Sequence, residues 1–517
     1  MRNWWPLCCG ILLTAVAIHR EARRTAAVAE PANAQLTDAK SRFALPIEGG
    51  VPYAIGVATG LATLNLEFTD TAEYLLIASS LGDAARTFDL ELKSAELDAG
   101  PVSNLHAVGR LELRPLPTVR PNPAPAGTRP VRHAASVNSE SSARRDFFVP
   151  VGGRLEVAAN YACVHAQRIA EGRQVRVYHD PVQPTHELDD GAIAELIRLL
   201  DEEILPKSAE LLGLHEDIDQ DGKLAVLLTP RLGRLGGNTP LGGFVRGSDF
   251  QPGLPAPFSN HCDLMYLNSD LRPTTRLKAL LAHEYTHAVC FSRRALAAQG
   301  GAWLDEEDWL NEAIAHVAES LHAADWSNRD YRIARFLDAP QAAPLVVPDY
   351  YRSGRWRDDG CRGATCLFLH WCVEQSGAGL LGNLVESPTT GVRNVERATG
   401  AAFADLFRQW TIALWQSGRA GNHPRRSGGA LPRNAAFGLN LRGRLGTANL
   451  CGPRPIFWTV DQPPPPVRIS GTATAFLVLR APAYQGIRRI QIQVEPGCEL
   501  QLTLMATNVS HSIADCR

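Results

Sequence analysis

No sign of charge predominates in this chain of 517 residues: 52 lysines and arginines stand against 54 aspartates and glutamates, for a net charge of -2. That balance gives no basic field for nucleic acid or for an anionic membrane surface. No segment recurs at a fixed period, so a repeat array is excluded. No two cysteines have C-x-x-C spacing, which argues against a zinc site built from cysteine. After the N-terminal stretch no apolar run is long enough to cross a membrane. The ten tryptophans are scattered and mark no carbohydrate platform. What is present is ordinary globular composition, 45% hydrophobic and 21% charged. A chain of this length exceeds one hydrophobic core and suggests about three domains.

The first residues read as an export signal over 1–34. Arg2 precedes an apolar run from Trp4 to Ile18, and charge follows. Ala15-Val16-Ala17 offers a small-x-small cleavage site, with Ala27-Val28-Ala29 and Ala32-Asn33-Ala34 as later ones. The expected location is therefore secreted, periplasmic or cell-surface, with no membrane span in the mature chain. Cys8 and Cys9 would leave with the signal, and nine of the 11 cysteines would remain. In an oxidising compartment Cys498 with Cys516, and two of Cys361, Cys366 and Cys372, are candidate disulfide partners.

Residues 42–115 alternate apolar and polar, as in "ATLNLEFTDTAEYLLIASS" and "RTFDLELKSAEL", which predicts a small β-sandwich. A Pro-, Ser- and Arg-rich stretch over 116–146 reads as a linker. From Asp189 the period becomes helical, with Ile193, Leu196, Ile197, Leu200 and Ile204 on one stripe. Buried strands are expected in "KLAVLLTP" and "LMYLNSD". Helices are predicted over 274–291, capped by Thr274 or Thr275, over 308–321, and onward to about residue 421. Strand patterns return over 430–517 as a second β domain. The expected architecture is a multidomain α+β core with a mainly helical C-terminal lobe, flanked by small β-sandwich-like domains.

The chemistry is concentrated in "LAHEYTHAVCF". His283 and His287 are four apart, so on a helix both project from one face and can offer ring nitrogens to one metal ion. Glu284 is rotated by about 100° from His283 and can face a metal-bound water as general base. The helix is apolar almost all round and should be buried. Unpaired polar groups there would cost on the order of 1–3 kcal/mol each, which one metal would relieve together. The pattern H-E-x-x-H-x-x-G-x-x-H is excluded, because Cys290 and Arg293 occupy the positions of its Gly and third His. Downstream, Glu312, His316 and Glu319 form a stripe at i, i+4, i+7. Glu312 is the expected third ligand, with His316 or Glu319 orienting a ligating histidine through its other ring nitrogen. Asp305, Glu306, Glu307 and Asp308 are the rival carboxylates, read as solvated or helix-capping.

The pairing of H-E-Y-T-H with a second helix opening W-L-N-E resembles the gluzincin metallopeptidases. The longer match is to the hyicolysin-like secreted bacterial metallopeptidases, through "DIDQDGKLAVLLTP", "LMYLNSD" ahead of "LLAHEYTHAVCF", and "GVRNVERATGAAFADLFRQW". It spans about Val175 to Gly421, within a catalytic domain placed at 147–421. The resemblance implies a zincin-type core and one catalytic zinc. Its ligands would be His283, His287 and Glu312, its general base Glu284, and its substrate a protein or peptide. Two features depart from thermolysin-like enzymes: the interval from His287 to Glu312 is longer, and His316 stands where a carboxylate would support a ligating histidine.

Other roles stay open in the sequence. The donor that stabilises the transition state is not identified; His370, Tyr350, Tyr351 and Tyr266 are candidates. The strand "LMYLNSD" could pair with an extended substrate. Asp217, Asp219 and Asp221 alternate before Gly222, as in a calcium loop, but Leu228 holds the place of the bidentate glutamate. The loop either binds structural calcium with help from elsewhere or is an acidic turn before a strand. The competing function is an inactive peptidase-like binding protein. The outer β segments read equally as binding modules, covers or an inhibitory pro-region processed before Phe147.

Overall fold

The computed structural model describes residues 47–69, 72–96, 107–119, 143–152, 154–182, 188–232, 241–251, 253–297, 304–347, 350–351, 353–419, 438–482 and 485–508. The export signal with Cys8 and Cys9, most of the linker, and Cys516 lie outside them. In chain order the first strands are β1 (Pro52–Ile55), β2 (Leu61–Phe68), β3 (Ala72–Ser80), β4 (Thr87–Glu96), β5 (Val108–Arg110), β6 (Arg144–Pro150), β7 (Tyr161–Glu171) and β8 (Val175–His179). Helices α1 (Asp190–Arg198) and α2 (Leu205–Leu211) follow, then β9 (Leu224–Thr229), β10 (Gly243–Val245) and β11 (Leu264–Asn268). The helical lobe runs through α3 (Thr275–Ala297), α4 (Asp308–Leu321), α5 (Asp330–Asp338), α6 (Asp359–Ser376), α7 (Gly379–Val385), α8 (Gly391–Thr399) and α9 (Phe403–Gln416). The chain ends in β12 (Arg444–Leu445), β13 (Ala448–Asn449), β14 (Ile456–Thr459), β15 (Val467–Ser470), β16 (Thr474–Arg480), β17 (Gly486–Val494) and β18 (Leu500–Asn508). The protein is multidomain with mixed α and β content.

The two outer β segments, read from the sequence as separate sandwich-like domains, interleave in a single sandwich. One sheet has the order β14-β16-β3-β18-β1-β5, the other β15-β4-β17-β2. β3 lies between β16 and β18, antiparallel to both, with Ile77 opposite Phe476 on one side and Thr503 on the other. β4 alternates exposed and buried residues, as a strand with one wet face must. β3 is buried along both faces. Its even-numbered Leu76 and Ala78 pack inside the sandwich, while Leu75 and Ile77 face the core of the helical lobe beside Phe476, Val478 and Met505. Trp415 of α9 stacks on Phe476 at 5.7 Å.

The supposed linker begins as packed structure. Leu116 is buried, and Val119 N–H donates to Ser376 O at 2.7 Å. Likewise 438–450 belongs to the helical lobe, where Leu441, Leu445 and Leu450 enter its core.

A second six-stranded sheet has the order β10-β11-β9-β8-β7-β6. β9 runs parallel to β8 and β11, and the other pairs are antiparallel. The expected strand "LMYLNSD" is therefore β11, an interior strand with both edges taken; among the described residues β10 and β6 are the edge strands. Asp189 caps α1 by accepting from Ala192 N at 3.0 Å. Val226, Leu228, Met265 and Leu267 from the sheet pack against Leu281, Ala282, Tyr285 and Val289 of α3. The motif helix runs six residues past its expected end at residue 291, and the glutamate helix α4 coincides with its predicted span. Among the described residues no helix is long and apolar enough to cross a membrane.

Candidate metal centre

Three helices converge on one buried point. α3 supplies His283 and His287, α4 supplies Glu312, and all three side chains are nearly fully buried. His283 Nε2 lies 3.2 Å from His287 Nε2 and 3.3 Å from Glu312 Oε2, and His287 Nε2 lies 3.9 Å from Glu312 Oε1. Ligands about 2.1 Å from a tetrahedral ion sit about 3.4 Å from one another, so this triangle fits a metal. The hydrogen bonds behind the rings fix their tautomers. His283 Nδ1 faces Glu319 Oε1 at 2.9 Å, and His287 Nδ1 faces Asn311 Oδ1 at 3.3 Å. Both partners are acceptors, so both Nδ1 atoms donate. Each Nε2 then turns a lone pair towards the other and towards a carboxylate. Three electron-pair donors meet here, and either a proton on His283 Nε2 or a metal ion relieves the repulsion between them. The site is thus a buried His/Glu group that could hold a metal ion.

The supporting shell forms a closed ring. Glu319 Oε1 accepts from His283 Nδ1, from His316 Nδ1 at 2.9 Å and from Asn328 Nδ2 at 2.8 Å. His316 Nε2 accepts from Arg362 at 3.0–3.1 Å, and Arg362 also donates to Glu312 Oε2 at 2.6 Å. The path Glu312–Arg362–His316–Glu319–His283 returns to the ligand triangle. Glu319 is thus the carboxylate behind His283, and His316 bridges it to Arg362. Tyr351 completes the set, its hydroxyl donating to Glu312 Oε1 at 2.8 Å while 51% of the residue stays exposed.

Arg362 and the roles of Asn311 and Asn328 were not read from the sequence. Arg362 comes from α6, held against α5 at Gly363, where any Cβ would overlap the Arg332 carbonyl oxygen. The one available signal was the single arginine of α6, next to Gly363. Asn311 directly precedes the ligand in "WLNE" and was legible by position.

The electrostatics follow from the burial of opposite charges. Burial works against a charged His283, but Glu312 and Glu319 outweigh it and raise it to about 9. His287, with weaker compensation, is pushed by burial down to about 4. Glu312 is opposed by burial yet held well below the usual carboxylate range by Arg362 and the histidines. Burial, then the nearby Glu312, raises Glu284 to about 7. Glu284 lies against the edge strand: a Cβ on Gly243 would meet its Cγ at 3.2 Å and Tyr266 O at 3.0 Å, so only glycine lets β10 run this close.

Other candidates fall elsewhere. Glu306 is not solvated: it is buried, pairs with Arg294 at 2.5 Å, and accepts from Gly391 N and Asn394. Glu307 accepts from the Trp309 indole at 2.7 Å. Tyr266 donates to Asp249 at 2.7 Å and is committed there, and His370 pairs with Glu374 at 3.0 Å. Tyr350 is fully buried and stands edge-on to Tyr351 at 5.8 Å. Asp217, Asp219 and Asp221 do come together. Two arginines already occupy them: Arg145 on Asp219 at 2.5 Å and Arg176 on Asp221. Asp217 accepts from the backbone N–H groups of Asp221 and Gly222. Cys361, Cys366, Cys372 and Cys498 are free thiols.

Compared with protein-family models and with curated proteins, the sequence matches none. The functional reading therefore rests on the site itself.

Proposed function

We propose that this chain is an exported zinc-dependent endopeptidase built on a zincin-type core. The observation that carries the proposal is the convergence of two Nε2 lone pairs and the Glu312 carboxylate, with both Nδ1 atoms tied behind them. Two imidazoles, one carboxylate and an adjacent glutamate are the donor set of a catalytic zinc that keeps one position for water. His283, His287 and Glu312 would hold the ion, which would supply Lewis acidity and an ionisable water.

The chain's own groups account for the remaining roles. Glu284, one residue after the first ligand, takes the water proton and returns it to the leaving amine. Its raised proton affinity suits exchange near neutral pH. The Tyr351 hydroxyl reaches Glu312 from the exposed side, and once released from that carboxylate its proton would serve the developing oxyanion. The free edge of β10 borders Glu284 and offers main-chain groups to an extended peptide, a role that interior β11 cannot fill.

The test is zinc content together with hydrolysis of unfolded casein, in wild type and Glu284→Gln. One zinc per chain in both is expected, with activity in the variant lower by about 10²–10⁴-fold. Absence of zinc from the wild type, or full activity in the variant, would overturn the proposal.

A further inference from the structure

We infer that the β-sandwich sets the active site through Thr472, a positioning residue for the segment that carries Tyr351. This rests on the peptidase reading above.

Thr472 sits in the turn between β15 and β16, at the end of the sandwich nearest the helical lobe. Its φ is +55°, a left-handed conformation that a β-branched residue rarely adopts. Such a residue persists only where its surroundings hold it there. The neighbouring Gly471 is pressed on Asp83, where a Cβ would overlap the carbonyl oxygen. In that pose Thr472 uses both ends on one partner segment. Its carbonyl accepts from Leu345 N at 2.9 Å, and its hydroxyl accepts from Val346 N at 3.0 Å.

The clamped segment ends three residues before Tyr350 in the chain. Leu345, Val347 and Tyr350 are buried, so this strip is held from the sandwich on one side and the core on the other. Tyr350 meets Tyr351 edge-on, and Tyr351 donates to Glu312. The sandwich is therefore joined to the ligand set through Thr472, residues 345–347, Tyr350, Tyr351 and Glu312. This explains why two β segments from opposite ends of the chain must close together over the helical lobe. It also gives the strained turn a purpose that packing alone does not supply.

The experiment measures the rate at which zinc passes from the protein to a chelator, alongside casein hydrolysis, for Thr472→Val, Tyr351→Phe and the double variant. Thr472→Val keeps shape and backbone strain and removes only the hydroxyl. Thr472→Ser restores the hydroxyl and should behave as wild type. Thr474→Val is the control: it deletes a buried hydroxyl at the start of the adjoining strand β16, bonded to Ser79 at 2.9 Å, away from residues 345–351. The expected result is zinc release faster by about 3–10-fold in both single variants, with no further increase in the double variant. A fall in kcat at constant KM should accompany it. Thr474→Val should release zinc at the wild-type rate. Unchanged release in Thr472→Val, equal acceleration in Thr474→Val, or additive effects in the double variant would overturn the inference. A wild type without zinc would instead overturn the peptidase reading.

Discussion

Glu319 and Arg362 neither touch the proposed metal, yet they decide whether its ligands converge. Glu319 fixes the tautomer of His283, so Glu319→Gln should weaken zinc binding by about 10–100-fold, measured by competition with a chromogenic chelator. Undiminished affinity would place the tautomer control elsewhere. Arg362→Met takes the arginine donor from buried Glu312 Oε2 and His316 Nε2. Removing one partner of a buried pair costs about 3–5 kcal/mol, so the variant's urea midpoint should fall sharply. At this scale the sequence was partly legible. His283 with His287, and Glu312 with Glu319, share a helix face by spacing alone, and Glu284 adjoins the first of them. Arg362, Tyr351 and Asn328 reach the site by tertiary packing of α5, α6 and the segment before them, which no local spacing encodes.

At the scale of the element, "DIDQDGK" shows how a motif is reinterpreted by its neighbours. Its alternating aspartates spell a calcium loop and do come together, but Arg145 from β6 pairs with Asp219 and Arg176 from β8 with Asp221. Both arginines sit in strands whose pairing with this loop was invisible in the sequence. Burial, with Asp219 alongside, pushes Asp221 from 3.8 up to about 6. Between those values the folded chain binds the proton more tightly than the unfolded chain. Stability therefore falls as pH rises through that window and stays lower above it. Asp221→Asn cannot titrate and should flatten this dependence, read from urea midpoints measured across about pH 4–7. Millimolar calcium should leave the thermal midpoint of the wild type unchanged. A calcium-dependent rise abolished by Asp221→Asn would restore the calcium reading.

Across the whole molecule, the sandwich is the feature least legible in advance. Each strand announces itself by alternation, but not its partner. The pairing of β3 with β16 joins Ser79 to Thr474, 395 residues apart. An apolar face specifies burial and register, and many partners satisfy it. The consequence bears on processing. A chain opened at an engineered protease site within 120–142 should remain one particle by size exclusion, because β3 stays between β16 and β18. A chain begun at Phe147 should aggregate, since β16 and β18 lose the strand between them. Dissociation of the cut halves with retained activity would instead support a removable pro-region. The most direct test of the central claim is anomalous diffraction from crystals at the zinc absorption edge. The account predicts one strong peak about 2.0–2.2 Å from His283 Nε2, His287 Nε2 and a Glu312 oxygen. A zinc-supplemented crystal with no peak among those atoms would contradict it.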